Sequence, residues 1–323
     1  MSLYYRIRHL TRFAYSDPVY ESLMELRMHP RTEGNQRCLD YKVTVTPKAQ
    51  IHTYRDHLGN SIHHFGIPGP HRNLQITAES VVEMKPFPDL PHFLSPDAWM
   101  ELDAAVADGD FWPKLLPSTY AKPSELLESF MRELDIARRD DPLMVVREIN
   151  TLLYKSLEYV PHSTRVDSPI DEALSQRKGV CQDMSHIMIA VLRQLGIPAR
   201  YVSGYLFHRA EDRDRSSDGA THAWVEAYLP SLGWIGFDPT NDLIAGERHV
   251  RTAIGRDYAD VPPTRGVLKG KADSKLTVAV GVNACEELPP ELAEMVTEWD
   301  AEVERDLNTP EDLLRQQEQM QQQ

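Results

Sequence analysis

The stretch that decides the fold lies between Gly179 and Asp242. It reads GVCQDMSHIMIAVLRQLGIPARYVSGYL over 179–206 and THAWVEAYLPSLGWIGFDPTND over 221–242. Met184, Ile187, Met188, Val191, Leu192 and Leu195 recur at helical spacing, which predicts an amphipathic helix over 181–195. Gly196 stands where the chain leaves such a helix, and Pro198 blocks any continuation. Cys181 therefore falls in the first turn. Unpaired backbone N–H groups and the positive end of the macrodipole favour an anion there. Thiols so placed ionise more readily, and thiolate is the nucleophilic form. The same N–H groups, that of Cys181 included, suit the oxyanion of a tetrahedral intermediate. Placement alone does not separate a nucleophile from a small buried cysteine, which is common.

The second half of the stretch adds partners. Thr221–Tyr228 and Trp234–Asp238 are β-prone runs around the turn Leu229-Pro230-Ser231-Leu232-Gly233, and they predict a hairpin. In a simple register Tyr228 faces Trp234 and Trp224 faces Asp238. Side chains alternate with period 2, so His222, Trp224, Glu226, Trp234 and Asp238 share one face. Ala223, Val225, Ala227, Ile235 and Phe237 share the other, which suits a core. An imidazole and a carboxylate are then diagonal neighbours. A carboxylate that holds one ring nitrogen leaves the other free to take a thiol proton. Trp224 and Trp234 are expected to line the cleft beside that pair, and Gln182 to line it beside the cysteine.

Three blocks now stand in order: Gly179-Val180-Cys181-Gln182-Asp183, His222-Ala223-Trp224-Val225-Glu226, and Gly233-Trp234-Ile235-Gly236-Phe237-Asp238-Pro239-Thr240. Their composition, order and intervals resemble those of the transglutaminase-like superfamily. The resemblance implies a papain-like α+β core, in which the helix bearing the nucleophile packs on an antiparallel sheet. It implies Cys181 as nucleophile, His222 as base and Asp238 as the group that orients it. The family uses an aromatic oxyanion donor upstream of the nucleophile, which points to Tyr159. Tyr5-Arg6-Ile7, Thr11, Phe13-Ala14-Tyr15, Arg27, Pro30 and Asp56…Gly59-Asn60 more loosely resemble the N-terminal domain found beside bacterial transglutaminase-like cores. Arg256–Pro263 resembles a block that follows the triad.

Composition bounds the rest. The 323 residues suit two domains, and 41% hydrophobic content is enough for sizeable cores. A net charge of −14 disfavours nucleic acid and anionic membrane as partners. Cys38, Cys181 and Cys285 are too few for a disulfide framework and suit a reducing compartment. The opening MSLYYRIRHLTRFAYSD has no apolar signal region, and no run approaches the ~18 apolar residues of a membrane span. The cytoplasm is the expected location. His63-His64 and His52/His57 lack the spacing of a helical zinc pair, and Cys181 and His186 point to different sides of a helix. Neither metal nor cofactor is expected. Oligomeric state is not encoded in any pattern found.

The expected division is a β-rich domain over 1–95, a proline- and aromatic-rich connector over 96–123, the catalytic core over 124–265, and a strand with a helical, Gln-rich tail over 266–323. Alternation over 4–9, 40–46 and 75–84 predicts an antiparallel β-sandwich at the N-terminus, serving as a binding module, a substrate gate or a packing partner. Ser124 and Asp141 stand as N-caps of two helices, with Pro142 at the first position of the second. Residues 170–174 predict a short helix and 199–207 a strand, from which Val202 and Tyr205 face the core or the cleft. HRAEDRDRSSDG, 208–219, predicts an exposed loop beside the hairpin. Lys275–Val282 reads as a strand of unassigned sheet. Leu292, Met295, Val296 and Trp299 fit one further helix, Pro310-Glu311-Asp312 starts another, and the terminal QQEQMQQQ is expected to fray.

Two classes of function follow. In the first, Cys181 transfers an acyl group from a peptide or amide substrate. Water as acceptor makes a protease or amidase, and an amine makes a transglutaminase. Hydrolysis is favoured, because water is always present and no amine-binding motif stands out. The second class is a non-catalytic binding scaffold. It would be marked by a missing triad member, and none is missing.

Overall fold

Alternation of apolar and polar residues runs much further at the N-terminus than the predicted segments. Strands β1 (Leu3–Leu26) and β4 (Ser61–Met84) are 24 residues each, with β2 (Gln36–Thr46) and β3 (His52–Arg55) between them. Helices α1 (Ala98–Asp108), α2 (Trp112–Leu115), α3 (Glu125–Glu133) and α4 (Pro142–Ser156) follow. Two short strands, β5 (Glu158–Tyr159) and β6 (Lys178–Gly179), bracket α5 (Ile170–Gln176) and lead into α6 (Cys181–Gln194). Then come β7 (Ala199–Leu206), β8 (His222–Leu229), β9 (Gly233–Asp238), β10 (Leu243–Ile244) and β11 (His249–Gly255). Strands β12 (Thr264–Lys269) and β13 (Ser274–Cys285) end the described chain. In this computed structural model the described residues are 2–209, 211–285 and 292. The helices expected beyond 290 and the frayed tail therefore lie outside them, apart from residue 292.

The expected sandwich is one antiparallel sheet folded over itself. Its order is β12-β1-β4-β2, with β13 also on β1 and β3 on β4. The β1–β4 register breaks between Ala14 and Val19 and again before Glu21. Such bulges bend and twist a strand pair. Leu74, Ile76 and Val45 from one half then meet Met24, Phe65 and Ile67 from the other in a single core. The strand expected over 275–282 finds its sheet here, as β13. Two strands that follow the catalytic segment thus complete the N-terminal sheet, which the expected division at 266 did not foresee. The chain up to Ala284 forms one compact unit.

The candidate catalytic segment holds a five-stranded antiparallel sheet, β10-β9-β8-β7-β11. Tyr228 pairs with Trp234 and Val225 with Phe237, the expected hairpin register. Ala223, Val225, Ala227, Ile235 and Phe237 pack against α6, as their face predicted. The caps also form as read: Ser124 Oγ accepts from Leu127 N, and Asp141 Oδ1 from Met144 N.

Helix α6 differs from the expected amphipathic helix. Its residues from Gln182 to Arg193 are all buried, so it runs through the middle of the molecule. Met184, Ile187, Met188, Val191 and Leu192 are fully buried, each stabilising the fold by about 1.5–3 kcal/mol relative to exposure. Its polar side chains are satisfied from neighbouring segments. Ser185 donates to Cys181 O, and His186 Nε2 accepts from Tyr258 N. Arg193 donates to the carbonyls of Lys114, Leu116, Ala199 and Arg256. Burial pulls its pKa down to about 10. The connector is held by these bonds, and it contains α1 and α2 where only irregular chain was expected.

The other face of the catalytic sheet is covered by the N-terminal sheet. Asn60 pairs with both backbone groups of Ile254 at 2.9 Å. Gln36 accepts from Arg251 N at 2.7 Å and donates to Arg251 O at 2.8 Å. The turn Asp56–Asn60 exists to present this contact: Asp56 Oδ1 accepts from Leu58 N and Asn60 N, and Gly59 supplies φ +76°. Among the described residues, no helix is long and apolar enough to cross a membrane.

Candidate active site

Cys181 opens α6 because Val180 is extended at φ −115° and ψ 179° and the chain turns helical directly after it. Asp183 fixes that start. Its Oδ2 accepts from Val180 N at 2.9 Å and from Thr164 Oγ1 at 2.6 Å. Gly179 has no room for a side chain, since a Cβ there would meet the Asp183 Cβ at 2.9 Å. Burial pushes the Asp183 carboxyl up in pKa, against the pull of these bonds.

The hairpin brings His222 to the cysteine. His222 Nε2 donates to Asp238 Oδ2 at 2.7 Å, and Cys181 lies near enough to the ring to help raise its pKa. With Nε2 committed to the carboxylate, Nδ1 is the nitrogen left for the thiol. Burial alone would lower the His222 pKa. The charge and hydrogen bond of Asp238, joined by Cys181, reverse that and raise it to about 10. Burial also opposes ionisation of Asp238, yet the His222 charge and the bonds from His222 and His249 hold its carboxyl far below the usual range.

Asp238 is held by more than the histidine. Its Oδ1 accepts from Thr240 N at 3.0 Å and Asn241 N at 3.3 Å, and its Oδ2 from Asn241 Nδ2 at 2.8 Å. His249 Nε2 adds a bond to Oδ2 at 3.3 Å. His249 Nδ1 accepts from Gly246 N, which fixes the tautomer with the proton on Nε2. Burial pushes its pKa down and keeps it neutral. Sequence reading missed His249 and Asn241. The pattern Phe-Asp-Pro-Thr-Asn signalled only a turn after a strand, and His249 reaches Asp238 from a different strand. The donor atoms of His222, Asp238 and His249 lie within 4.8 Å of one another. A transition metal would fit between them only by displacing the two Nε2 protons that now bond Asp238 Oδ2.

The expected loop over 208–219 is tied down. Asn241 Oδ1 accepts from Arg215 N and Ser216 N, so one residue links this segment to Asp238. Arg248 pairs with Asp212 at 2.8 Å and Asp214 at 2.7 Å.

Cys181, Gln182 and His222 open onto a cavity of about 270 Å³. Gln182 also donates to Val166 O at 2.8 Å. Two expectations change here. Tyr159 does not reach this cavity. Its strand pairs with Gly179, and it lines a different concavity with Arg177 and Arg215, its hydroxyl bonding Ser217 Oγ at 3.2 Å. Trp224 and Trp234 also lie elsewhere, in a separate small concavity with Glu226 and Arg251. The hairpin face that carries them is covered rather than open: Glu226 is 2% exposed and pairs with Arg200 at 2.6 Å and Arg251 at 3.3 Å. Of the two alternatives read for β7, Val202 and Tyr205 take the core, Val202 against Trp224 and Tyr205 bonded to His9, while Tyr201 and Ser203 line the cavity.

Comparison with known proteins bears on the family and the fold. Residues 5–83 match the family described as the bacterial transglutaminase-like N-terminal region, and residues 131–239 match the transglutaminase-like superfamily. An uncharacterized protein of Mycobacterium leprae is 33% identical over 279 residues, covering 86% of this chain and 97% of its own. An uncharacterized protein of Mycobacterium tuberculosis is 35% identical over 297 residues, covering 86% and 92%. The crystal structure of a "putative cysteine protease" from Cytophaga hutchinsonii is similar with a TM-score of 0.71 and 25% identity, covering 90% of this chain and 93% of that one. A protein-glutamine gamma-glutamyltransferase of Pseudomonas aeruginosa is 37% identical over 91 residues, which is 27% of this chain and 14% of that one. The chain belongs to the transglutaminase-like superfamily.

Proposed function

We propose that the protein is a cysteine-nucleophile acyl-transfer enzyme that hydrolyses peptide or amide bonds, with Cys181, His222 and Asp238 as its triad. The observation that carries this reading is the buried 2.7 Å His222–Asp238 bond beside a cysteine at a helix N-terminus that faces a cavity. In this mechanism the Cys181 thiolate attacks the amide carbonyl carbon. The backbone N–H of Cys181 stabilises the oxyanion. His222 gives its Nδ1 proton to the leaving amine, and the C–N bond breaks to leave a thioester. His222 then takes a proton from water, whose oxygen attacks the thioester; the C–S bond breaks, the acid leaves, and the Cys181 thiolate is restored beside a protonated His222.

Two points favour water over an amine as acceptor. The likeness to a chain described as a cysteine protease covers nearly all of this one, whereas the likeness to a glutamine transferase covers 27%. Trp224 and Trp234, which would shield a thioester from water, lie outside the cavity. The test is product analysis of one acyl donor with and without a millimolar primary amine. Free acid should dominate in both. An excess of the amide-exchanged product would make the protein a working transglutaminase. No product from any donor would leave the second class, a binding scaffold.

A further inference from the structure

The cavity beside Cys181 is not built by the catalytic segment alone. His9 and Thr11 come to it from β1, and Leu276 and Val278 from β13. None of its lining residues is Asp, Glu, Lys or Arg, although such residues make up 26% of the chain. The wall from the N-terminal sheet is polar at its base and apolar at its rim. At the base His9 is 1% exposed and has both ring nitrogens engaged, Nδ1 with Tyr205 Oη at 3.0 Å and Nε2 with Thr11 Oγ1 at 3.2 Å. Burial drops its pKa to about 4, so it carries no charge near neutral pH. At the rim Leu276 is 52% and Val278 40% exposed. They share one face of β13 with Val280, which is buried in a core shared with Tyr205 of β7 and Val250 of β11 and so turns that face toward the site. Val166 is exposed on the same cavity, and the charges flanking it, Arg165 and Asp167, pair with each other at 3.0 Å.

We infer that this wall is the subsite for the acyl-donor side chain, and that it selects an uncharged, mainly apolar residue from a peptide while rejecting carboxylate and ammonium side chains. The inference rests on Cys181 being the nucleophile, since only then does the cavity hold the donor. A charged side chain entering it loses water and meets no counter-charge beyond the Cys181–His222 pair, whose charges are already matched to each other, whereas an apolar one covers Leu276, Val278 and Val166. The role of the N-terminal domain is then to complete the substrate pocket.

The experiment uses peptidyl chloromethyl ketones that differ only in the residue bearing the electrophile: Leu, Gln, Glu or Lys. Labelling of Cys181 is followed by mass spectrometry, so the subsite is read without turnover. Iodoacetamide, which has no side chain, serves as control. In the full chain the Leu probe should react at least about tenfold faster than the Glu or Lys probe, the scale on which pockets discriminate side chains. Leu276→Glu, at a half-exposed position on the rim, should change the Leu:Lys ratio at least tenfold toward Lys and leave the iodoacetamide rate unaltered. Equal rates for Leu, Glu and Lys in the wild type, or a Leu:Lys ratio that Leu276→Glu does not move, would overturn the subsite. Labelling of Cys38 or Cys285 in place of Cys181 by every reagent would instead remove the nucleophile reading beneath it. Selective labelling without turnover of any amide would keep the subsite and remove the hydrolase.

Discussion

Cys181→Ala is expected to lower kcat for amide acyl donors by at least about 10⁴-fold and to leave the melting temperature nearly unchanged. The magnitude follows from triads elsewhere, where removing the nucleophile costs almost as much as removing the whole set. The fold should tolerate the change because only a sulfur atom is lost, from a half-buried position at the start of α6. His222→Ala would cost as much activity but is the poorer experiment. It removes a buried partner of the Asp238 carboxylate, and an uncompensated buried charge destabilises a protein strongly. Steady-state kinetics on one amide donor, with thermal melts of the same preparations, decide the point. Activity within tenfold of wild type in Cys181→Ala would exclude the mechanism.

Asp238→Asn is expected to lower kcat by about 10³–10⁴-fold and to move the pH profile. In the wild type the His222 pKa is raised to about 10, against burial, by Asp238 and Cys181. The basic limb of kcat/KM should therefore fall near that pH, where the imidazolium loses its proton. Without the carboxylate, burial prevails and the limb should move down by more than about one pH unit. Stability follows the same linkage. His222, raised in the folded state, contributes fully below its unfolded value of 6.5 and loses that contribution as pH rises through about 10. Asp238, depressed in the folded state, contributes fully above its unfolded value of 3.8 and loses that contribution as pH falls. The pair therefore stabilises most between these two values. Melting temperatures from pH 3 to 10 should show that plateau in the wild type and a flattened one in Asp238→Asn. Superimposable kcat/KM profiles for the two proteins would contradict the assignment.

The catalytic segment was legible because its signals are local. Gly196 and Pro198 bound α6, and the turn at 229–233 sets the hairpin register that brings His222 and Asp238 to one end of the sheet. What the sequence hid were contacts made across long separations. Nothing near His249 says that its ring bonds Asp238, because β11 reaches the site only through its pairing with β7. The same holds for Tyr159, whose aromatic character suited an oxyanion donor but whose direction depends on the β5–β6 pairing. The face of Trp224 and Trp234 was read correctly in register and wrongly in environment. Period-2 alternation tells which residues share a face, but not that Arg200 and Arg251 close over it. The polar positions of α6 looked like a solvent face for a similar reason. Arg193 is polar in sequence yet buried, because four backbone carbonyls converge on it, three of them from distant segments. Likewise Leu276 and Val278 read as ordinary strand residues, and only the return of β13 to β1 puts them beside Cys181.

The central claim is that an acyl group passes through the sulfur of Cys181. Acid quench of the protein with an activated ester, a donor for which deacylation is slow, traps the intermediate for peptide mapping by mass spectrometry. Cys38 is an internal control, since burial and the Asp40 charge push its thiol up to about 12 and leave it unreactive near neutral pH. The account predicts one hydroxylamine-labile acyl adduct, on the peptide that carries Cys181, formed at the rate of the product burst and absent from Cys181→Ala. Product formation at the wild-type rate with no acyl group on Cys181 would contradict it.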